Sequence, residues 1–327
     1  MTRILSGNRT LGLTVVLTLA IVLLPLPASL AQSQHAVQDE GSYRISVDVG
    51  LVVLPATVQN RRGLQVSDLR AEDFEVLEDR VAQRIRLFRH EDTPVTVGLV
   101  IDHSGSMGPK LSEVIHGART FVRLSNLDDQ MFVVNFNETV TLGLGAAIKF
   151  TSSSEELERA IWRAPATGET ALYDAILKGL ARLQSGGRER KALVVISDGA
   201  DNASSHKLAE VLRIAERSNA IIYAVGLFAP DDRDANPGVL QRVAQTTGGE
   251  AFFPKKIDEV VTICERIARD IRNQYTIGYV SSNPKRDGVY RSIRLTAQTA
   301  AGSKLFVRTR PGYIAAPLSG PEYEDGK

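Results

Sequence analysis

The pattern of hydrophobic and polar positions differs between the middle of the chain and its two flanks. Between residues 94 and 272, continuous apolar runs such as Val95–Ile101 and Ala192–Ile196 alternate with stretches whose apolar positions recur every three or four residues. Continuous runs are typical of strands buried on both faces, and the longer period is typical of helices packed on one side. This alternation predicts an α/β fold, a doubly wound and mainly parallel sheet flanked by helices.

The same pattern locates the other elements of this region. Further strands are expected over residues 131–136, 139–144, 220–225 and 251–253. Helices are expected over residues 109–124, 153–162, 171–183, 207–218, 239–246 and 260–271. Asn137-Glu138 lies between two of the strands and predicts a tight hairpin there.

Shorter strands characterise the two flanks, residues 43–93 and 273–315. A helical turn is expected at residues 69–74. The expected strands lie within residues 43–60, 74–78, 83–88, 274–280, 290–297 and 304–310. The first flank is too small to be stable alone, and the second is also short. We therefore expect both to pack into one smaller β-rich, sandwich-like unit with the α/β domain inserted between them. Two independent appendages are the alternative.

The N-terminus has the pattern of an export signal over residues 1–31. Arginines precede the apolar run Leu11–Leu24, and small residues end at Ala31, where cleavage is expected. The protein is thus expected to be exported, either periplasmic or secreted. An uncleaved anchor is the alternative, because the apolar run extends to Leu30 and is long enough to span a bilayer. Residues 32–42 are expected to form a flexible leader, and residues 316–327 a frayed tail.

Composition and charge exclude several classes of protein. At 43% hydrophobic and 24% charged residues, the chain of 327 residues resembles neither a disordered protein nor a multi-span membrane protein. The 39 lysines and arginines nearly balance the 38 acids, so no overall field attracts nucleic acid. The chain has a single cysteine, Cys264, so it cannot form an internal disulfide. Cys264 is expected to fill space in the core.

Oxygen-bearing side chains follow both buried strands. Asp102, Ser104 and Ser106 come directly after the first, and Asp198 follows the second. Thr170 lies between them in a loop that precedes a predicted helix. Ligands of doubly wound folds gather at the carboxyl ends of strands, so these side chains are expected to converge.

Two carboxylates and three hydroxyls form a ligand set for a hard divalent cation, with neither nitrogen nor sulfur. Mg²⁺ prefers oxygen ligands and uses few carboxylates, and Mn²⁺ suits similar donors. Neutral hydroxyls leave the cation with unneutralised charge that favours an incoming carboxylate. We therefore expect a Mg²⁺ or Mn²⁺ site that captures an acidic residue of a protein partner. Helix capping and turn formation offer another interpretation, since Ser, Thr and Asp are common in such loops.

This arrangement resembles the von Willebrand factor type A domain. The likeness rests on Asp-x-Ser-x-Ser at residues 102–106, on Thr170 before Ala-Leu-Tyr-Asp-Ala, and on Ser-Asp-Gly at residues 197–199. It covers about residues 94–272. The resemblance implies a metal-ion-dependent adhesion site in which Ser104, Ser106 and Thr170 contact the metal, with the two aspartates acting directly or through water. The flanks resemble those of an exported bacterial subgroup of the family.

Two other functions stay open. One is a structural or assembly protein of the cell envelope whose metal is merely stabilising. The other is a phosphoryl hydrolase with Asp102 as nucleophile. A known phosphatase motif places a second acid two positions after the nucleophile, but this chain has Ser104 there. No nucleophile elbow or phosphate-binding glycine loop is present, so we expect no enzyme activity.

Several polar residues invite simpler interpretations. His103 is expected to be a solvated loop residue or a contact for the partner. Asp201 and Asn202 are expected to cap a loop or a helix. The basic cluster Arg182, Arg188, Arg190 and Lys191 is expected to be solvated. Trp162 is expected to pack on the sheet, and the acidic loop 231–234 to be exposed.

Overall fold

The α/β region is built on one six-stranded sheet. The computed structural model describes residues 50–145, 147–161, 165–228 and 235–315. The sheet strands are β5 (Val95–Asp102), β6 (Gln130–Phe136), β7 (Val140–Leu142), β8 (Arg190–Ser197), β9 (Ala220–Gly226) and β10 (Ala251–Phe252). Their order is β10-β9-β8-β5-β6-β7, and all neighbours are parallel except the β6–β7 hairpin. This confirms the predicted mainly parallel sheet.

Helices cover this sheet. They are α1 (Leu111–Arg123), α2 (Ser154–Ile161), α3 (Leu172–Gln184), α4 (Leu208–Arg217), α5 (Pro237–Thr246) and α6 (Glu259–Arg272). Every residue of the central strand β5 is buried, which explains its unbroken apolar sequence. Cys264 is buried in the same core, as its sequence context predicts.

The order of the strands creates a switch point between β5 and β8. From β5 the chain moves outward through β6 and β7, and β8 then lies on the other side of β5. Loops that leave the carboxyl ends of β5 and β8 therefore diverge to opposite sides and leave a crevice. Asp102 and Asp198 lie at these two ends.

The flanks form two antiparallel four-stranded sheets. Their strands are β1 (Leu51–Gln59), β2 (Phe74–Glu78), β3 (Val81–Gln83), β4 (Ile85–Arg89), β11 (Tyr275–Val280), β12 (Tyr290–Ala297), β13 (Phe306–Arg308) and β14 (Gly312–Ile314). One sheet has the order β13-β1-β11-β4 and the other β14-β12-β2-β3. Both flanks contribute to each sheet, and apolar residues of both sheets form one core. The β-rich unit from both flanks is confirmed.

Two predicted strands differ from the structure: one is divided between the sheets, and the other is shorter than expected. Residues 83–88 were expected to form one strand, but β3 pairs with β2 while β4 pairs with β11 in the other sheet. Of residues 304–310, only Phe306–Arg308 form a strand, β13. Pro311, which has no N–H to donate, then separates β13 from β14 of the opposite sheet.

A polar network joins the β-rich unit to the α/β region. Arg308 of β13 pairs with Glu250, and its Nη2 lies 2.8 Å from Oδ2 of the buried Asp270 on α6. Gln65 donates a 2.5 Å hydrogen bond to the other oxygen of Asp270. These contacts join β13 and the segment after β1 to α6 and to the residue before β10.

Some expectations concern residues outside those described. They are the export signal 1–31, the leader 32–42, the strand expected before residue 50, Trp162, the acidic loop 231–234 and the tail 316–327. In the described ranges, no helix is both long and apolar enough to cross a bilayer.

Candidate metal centre

Asp102, the last residue of β5, is completely buried. Its Oδ1 accepts a 2.8 Å hydrogen bond from the backbone N–H of Ser104. Its Oδ2 accepts a 2.6 Å hydrogen bond from the hydroxyl of Ser197. Burial raises the pKa of Asp102 to about 6 against the pull of these bonds, and the charge of Asp198 raises it further. A nearby cation would relieve this cost.

The serines of the following loop connect the two strand ends. Ser104 precedes a 3-10 helix, Gly105–Lys110, which turns the chain sharply into α1. The Oγ atoms of Ser104 and Ser106 lie 3.1 Å apart. Ser106 donates a 2.5 Å hydrogen bond to Oδ2 of Asp198. The loop thus presents two hydroxyls beside the second carboxylate.

Asp198 follows β8 and is also completely buried. Its Oδ1 accepts a 3.2 Å hydrogen bond from the N–H of Ala200. Gly199 has φ +78°, and a Cβ there would lie 2.5 Å from the carbonyl oxygen of Asn236. Only glycine satisfies both constraints, so Gly199 fixes the direction in which the chain leaves Asp198.

Thr170 lies in a loop held by both strand ends. Its segment is attached to the first loop by a 3.1 Å bond from Gly105 N–H to the carbonyl of Gly168. Asn202, which follows β8, accepts a 2.8 Å bond from the N–H of Thr170. Thr170 is 3% exposed, and its hydroxyl makes no hydrogen bond to the other four side chains. Contacts of its backbone therefore fix the position of this segment relative to the two strand ends.

The structure confirms the interpretation of one neighbouring residue, Asp201, and corrects that of another, His103. Asp201 accepts hydrogen bonds from the N–H of Tyr173 at the start of α3 and from Ser204, so the predicted capping role is confirmed. The prediction for His103 is wrong. His103 is completely buried, and its Nε2 lies 3.2 Å from Oδ1 of Asn135 on the adjacent strand β6.

Ser197 was missed by sequence analysis. It is buried, holds Asp102 through its hydroxyl, and accepts a 3.0 Å bond from the N–H of Gly199. It therefore couples the two aspartates. Its position directly before Asp198 was the signal available in the sequence.

The donor set fits a hard divalent cation. Two buried carboxylates concentrate negative charge, while the hydroxyls add neutral oxygens, as Mg²⁺ and Mn²⁺ accept. Within the described ranges, no cluster of three or more His, Cys, Asp or Glu residues is found. Here, serine and threonine would have to complete the coordination.

Solved structures share this fold. The von Willebrand factor type A protein from Catenulispora acidiphila is 13% identical over 75% of each chain, with a TM-score of 0.50. The conserved hypothetical protein BatB from Bacteroides thetaiotaomicron is 18% identical over 54% of this chain and 97% of its own (TM-score 0.45). Proximal thread matrix protein 1 from the mussel byssus, with a zinc-occupied MIDAS motif, is 19% identical over 59% and 49% (TM-score 0.47).

A family model gives the more direct assignment. The model of the von Willebrand factor type A domain matches residues 96–266, just over half of the chain of 327 residues. This match spans β5 through most of α6 and includes all five predicted metal ligands. The chain therefore belongs to the von Willebrand factor type A domain family.

Proposed function

We propose that this protein is an exported binding module that uses a divalent cation, Mg²⁺ or Mn²⁺, to engage an acidic group on a protein partner. Asp102, Ser104, Ser106, Thr170 and Asp198 would hold the cation. The observation that carries the proposal is the bridge made by Ser106, whose hydroxyl contacts both Ser104 and Asp198. The bridge joins the loop after β5 to the loop after β8, and backbone contacts through Gly168 and Thr170 attach the Thr170 segment to both loops.

The burial of two acids supports a bound cation. Asp102 and Asp198 are both fully buried beside one another, and neither forms an ion pair with a described lysine, arginine or histidine. Like charges in a buried site are costly unless a counter-charge is supplied. A divalent ion supplies that charge, and the hydroxyls orient it without neutralising it.

The exposure of the site supports an external ligand. Asp102, Ser104, Thr170 and Asp198 are buried, whereas Ser106 is exposed. A cation at these residues is therefore approached from the side of Ser106. An acidic residue of a partner matches the remaining positive charge and the preference of such ions for oxygen.

The alternatives receive less support. As a nucleophile, Asp102 would have to be reached by a substrate, but its carboxylate is completely buried. This geometry favours a binding role over phosphoryl transfer. An envelope assembly protein with a purely stabilising metal makes a different prediction, because its interactions would survive removal of the metal.

The test combines metal binding with capture of partners. The purified protein is titrated with Mg²⁺ and Mn²⁺ by calorimetry and is then used to capture proteins from envelope extract with and without chelator. Ser106→Ala should weaken both metal binding and capture, whereas Ser303→Ala, at an exposed site of the β-rich unit, should affect neither. Metal binding with chelator-insensitive capture would favour the assembly role. Absence of metal binding would overturn the proposal.

A further inference from the structure

A second candidate site lies at the other end of the sheet. A cavity of about 420 Å³ lies between strands β1, β4 and β11 of the β-rich unit and the first residues of β5, β8 and β9. Small-molecule sites have volumes of about 300–1,000 Å³ and often form between domains. The size and position of this cavity are therefore those of a ligand site.

The body of the cavity is apolar. Its walls include Leu51, Val53 and Leu87 from the β-rich unit and Ala220 and Ile221 from β9. Leu51 is 42% exposed and Val53 39%, although they stand on a strand otherwise well packed in its sheet. Their exposed surface offers a hydrophobic environment to an apolar group.

The same walls carry excess positive charge. Arg89, Arg190, Lys191 and Arg310 all line the cavity, against the single acid Glu189. Glu189 lies 3.3 Å from Arg89 and has 79% of its side chain exposed. Glu189 therefore offsets Arg89 alone, and the other three cations have no further acid among the lining residues. This is unusual beside apolar surface, because buried charges are normally paired.

Arg190 and Arg310 have only uncharged partners among the described residues. Arg190 donates to the carbonyl of Ile271 and, at 2.9 Å, to Oε1 of Gln274. Arg310 is 8% exposed and donates to the carbonyl oxygens of Gly312 and Glu216. The prediction that Arg190 is a solvated loop residue is therefore wrong, because the β-rich unit covers it.

The acids nearest to Arg190 are already engaged. Arg272 pairs with Asp129 and, at 2.9 Å, with Asp92. Burial lowers the pKa of Arg190 and the positive charge of Arg272 lowers it further, although the charges of Asp92 and Asp129 oppose part of this shift. Burial also lowers the pKa of Arg310. Both guanidiniums would thus gain from an added anion.

We propose that this cavity binds a small amphiphile with a carboxylate head and an apolar chain. The head pairs with Arg190 and Arg310, and the chain packs against Leu51, Val53 and Leu87. Arginine suits this role because its planar group of donors matches a carboxylate. Tight binding requires both the carboxylate head and the apolar chain, because the cavity presents arginines without acidic partners beside apolar walls.

The proposed site is independent of the metal centre. The cavity reaches Val95 at the start of β5, whereas Asp102 ends the same strand. At about 3.3 Å per residue, the two ends of β5 are roughly 23 Å apart. A carboxylate bound at the cavity therefore does not compete with one bound at the cation.

The test uses the full chain with decanoate as probe. Binding is followed by displacement of the fluorescent anion 1-anilinonaphthalene-8-sulfonate, with and without chelator. Decanol, which lacks the charge, and decyltrimethylammonium, which reverses it, serve as matched ligands. The variants are Arg190→Met, which removes one cation, Val53→Phe, which fills the cavity, and Arg86→Met, which removes an exposed arginine of the same sheet. Circular dichroism checks that each variant folds.

Decanoate should bind and displace the dye, while decanol and decyltrimethylammonium bind at least about tenfold more weakly. Arg190→Met and Val53→Phe should each weaken decanoate binding by about tenfold, whereas Arg86→Met leaves it unchanged. Chelator should have no effect, which separates this result from the metal-dependent function. Failure of decanoate to bind, equal binding of decanol, or unchanged binding by folded Arg190→Met and Val53→Phe would each overturn the proposal.

Discussion

The hydroxyl of Ser106 lies 2.5 Å from Oδ2 of Asp198, although the two residues are 92 positions apart in the chain. This contact joins the loop after β5 to the loop after β8 across the switch point of the sheet. Ser106 is the exposed member of the pair, and Asp198 is the buried one. The hydroxyl of Ser106 therefore stands between solvent and the buried carboxylate.

The first prediction concerns stabilisation by metal. Mg²⁺ or Mn²⁺ should raise the free energy of unfolding by about 2.7 kcal/mol when the free ion is present at about 100 times its Kd. Asp198→Asn should abolish this increase because it removes an anionic ligand next to Ser106. Thermal unfolding with each ion and with chelator measures the effect. A wild-type protein that melts identically in all three conditions would contradict the prediction.

The second prediction concerns pH. The pKa of Asp102 is about 6 in the folded protein, above its ordinary value of 3.8. The folded state therefore holds the proton more tightly than the unfolded state. Without metal, stability should fall as pH rises from about 4 to above 6, by on the order of 3 kcal/mol at this group. Denaturant unfolding in chelator at a series of pH values measures this loss.

Metal should change that pH profile in the opposite direction. A cation needs ionised Asp102, so protons and metal compete, and the stabilisation by Mg²⁺ should grow as pH rises through about 6. Asp102→Asn should flatten the profile in chelator and remove the response to Mg²⁺. An Asn variant that keeps the wild-type pH dependence would show that another group is responsible.

The third prediction concerns the geometry of the chain after Asp198. Gly199→Ala should be strongly destabilising, because its positive φ is strained for alanine and the new Cβ would meet the Asn236 carbonyl at 2.5 Å. Gly63→Ala is the matched control. Gly63 has φ +73° but open space around it, so its cost should be only about 1–2 kcal/mol.

The two glycine variants should also differ in metal binding. Relief of the contact with Asn236 displaces the backbone beside Asp198, so Gly199→Ala should weaken Mg²⁺ binding even where it folds. Gly63 lies in the β-rich unit, and its variant should bind Mg²⁺ as the wild type does. Calorimetric titration of both proteins, after a check of folding, makes the comparison. Equal Mg²⁺ affinity in both variants would contradict the assigned role of Gly199.

The α/β region could be predicted from the sequence for a physical reason. Strands such as β5 are buried on both faces, so their apolar runs are unambiguous without knowledge of their neighbours. The separation of β3 from β4 could not be predicted in this way. It depends on which sheet each segment joins, and both segments alternate in polarity much as one longer strand would.

The candidate site was predictable to a similar extent. Asp102 and Asp198 follow buried strands, so their convergence depends only on the parallel sheet. The burial of His103 depends on Asn135, a residue on a neighbouring strand that no local pattern identifies. Arg190 was misassigned for the same kind of reason, since the β-rich unit that covers it is distant in sequence.

The fourth prediction concerns a buried ion pair in the β-rich unit. Glu78 and Arg291 are 2% and 3% exposed, and their side chains meet at 3.1 Å. The hydroxyls of Tyr279 and Tyr313 donate to the same carboxylate at 2.7 and 3.0 Å. Burial raises the pKa of Tyr279, and the charge of Glu78 raises it further. The carboxylate thus connects strands β2, β11, β12 and β14.

Arg291→Met should destabilise the protein by about 3–5 kcal/mol, because it leaves the Glu78 carboxylate buried without its cation. Glu78→Gln added to Arg291→Met should recover part of this loss, since the remaining amide is uncharged. Arg294→Met, at an exposed position of the same strand, should change stability by less than about 0.5 kcal/mol. Denaturant unfolding of the wild type and of the three variants measures these differences. A double variant less stable than Arg291→Met would mean that hydrogen bonding by the tyrosines, rather than charge, dominates this network.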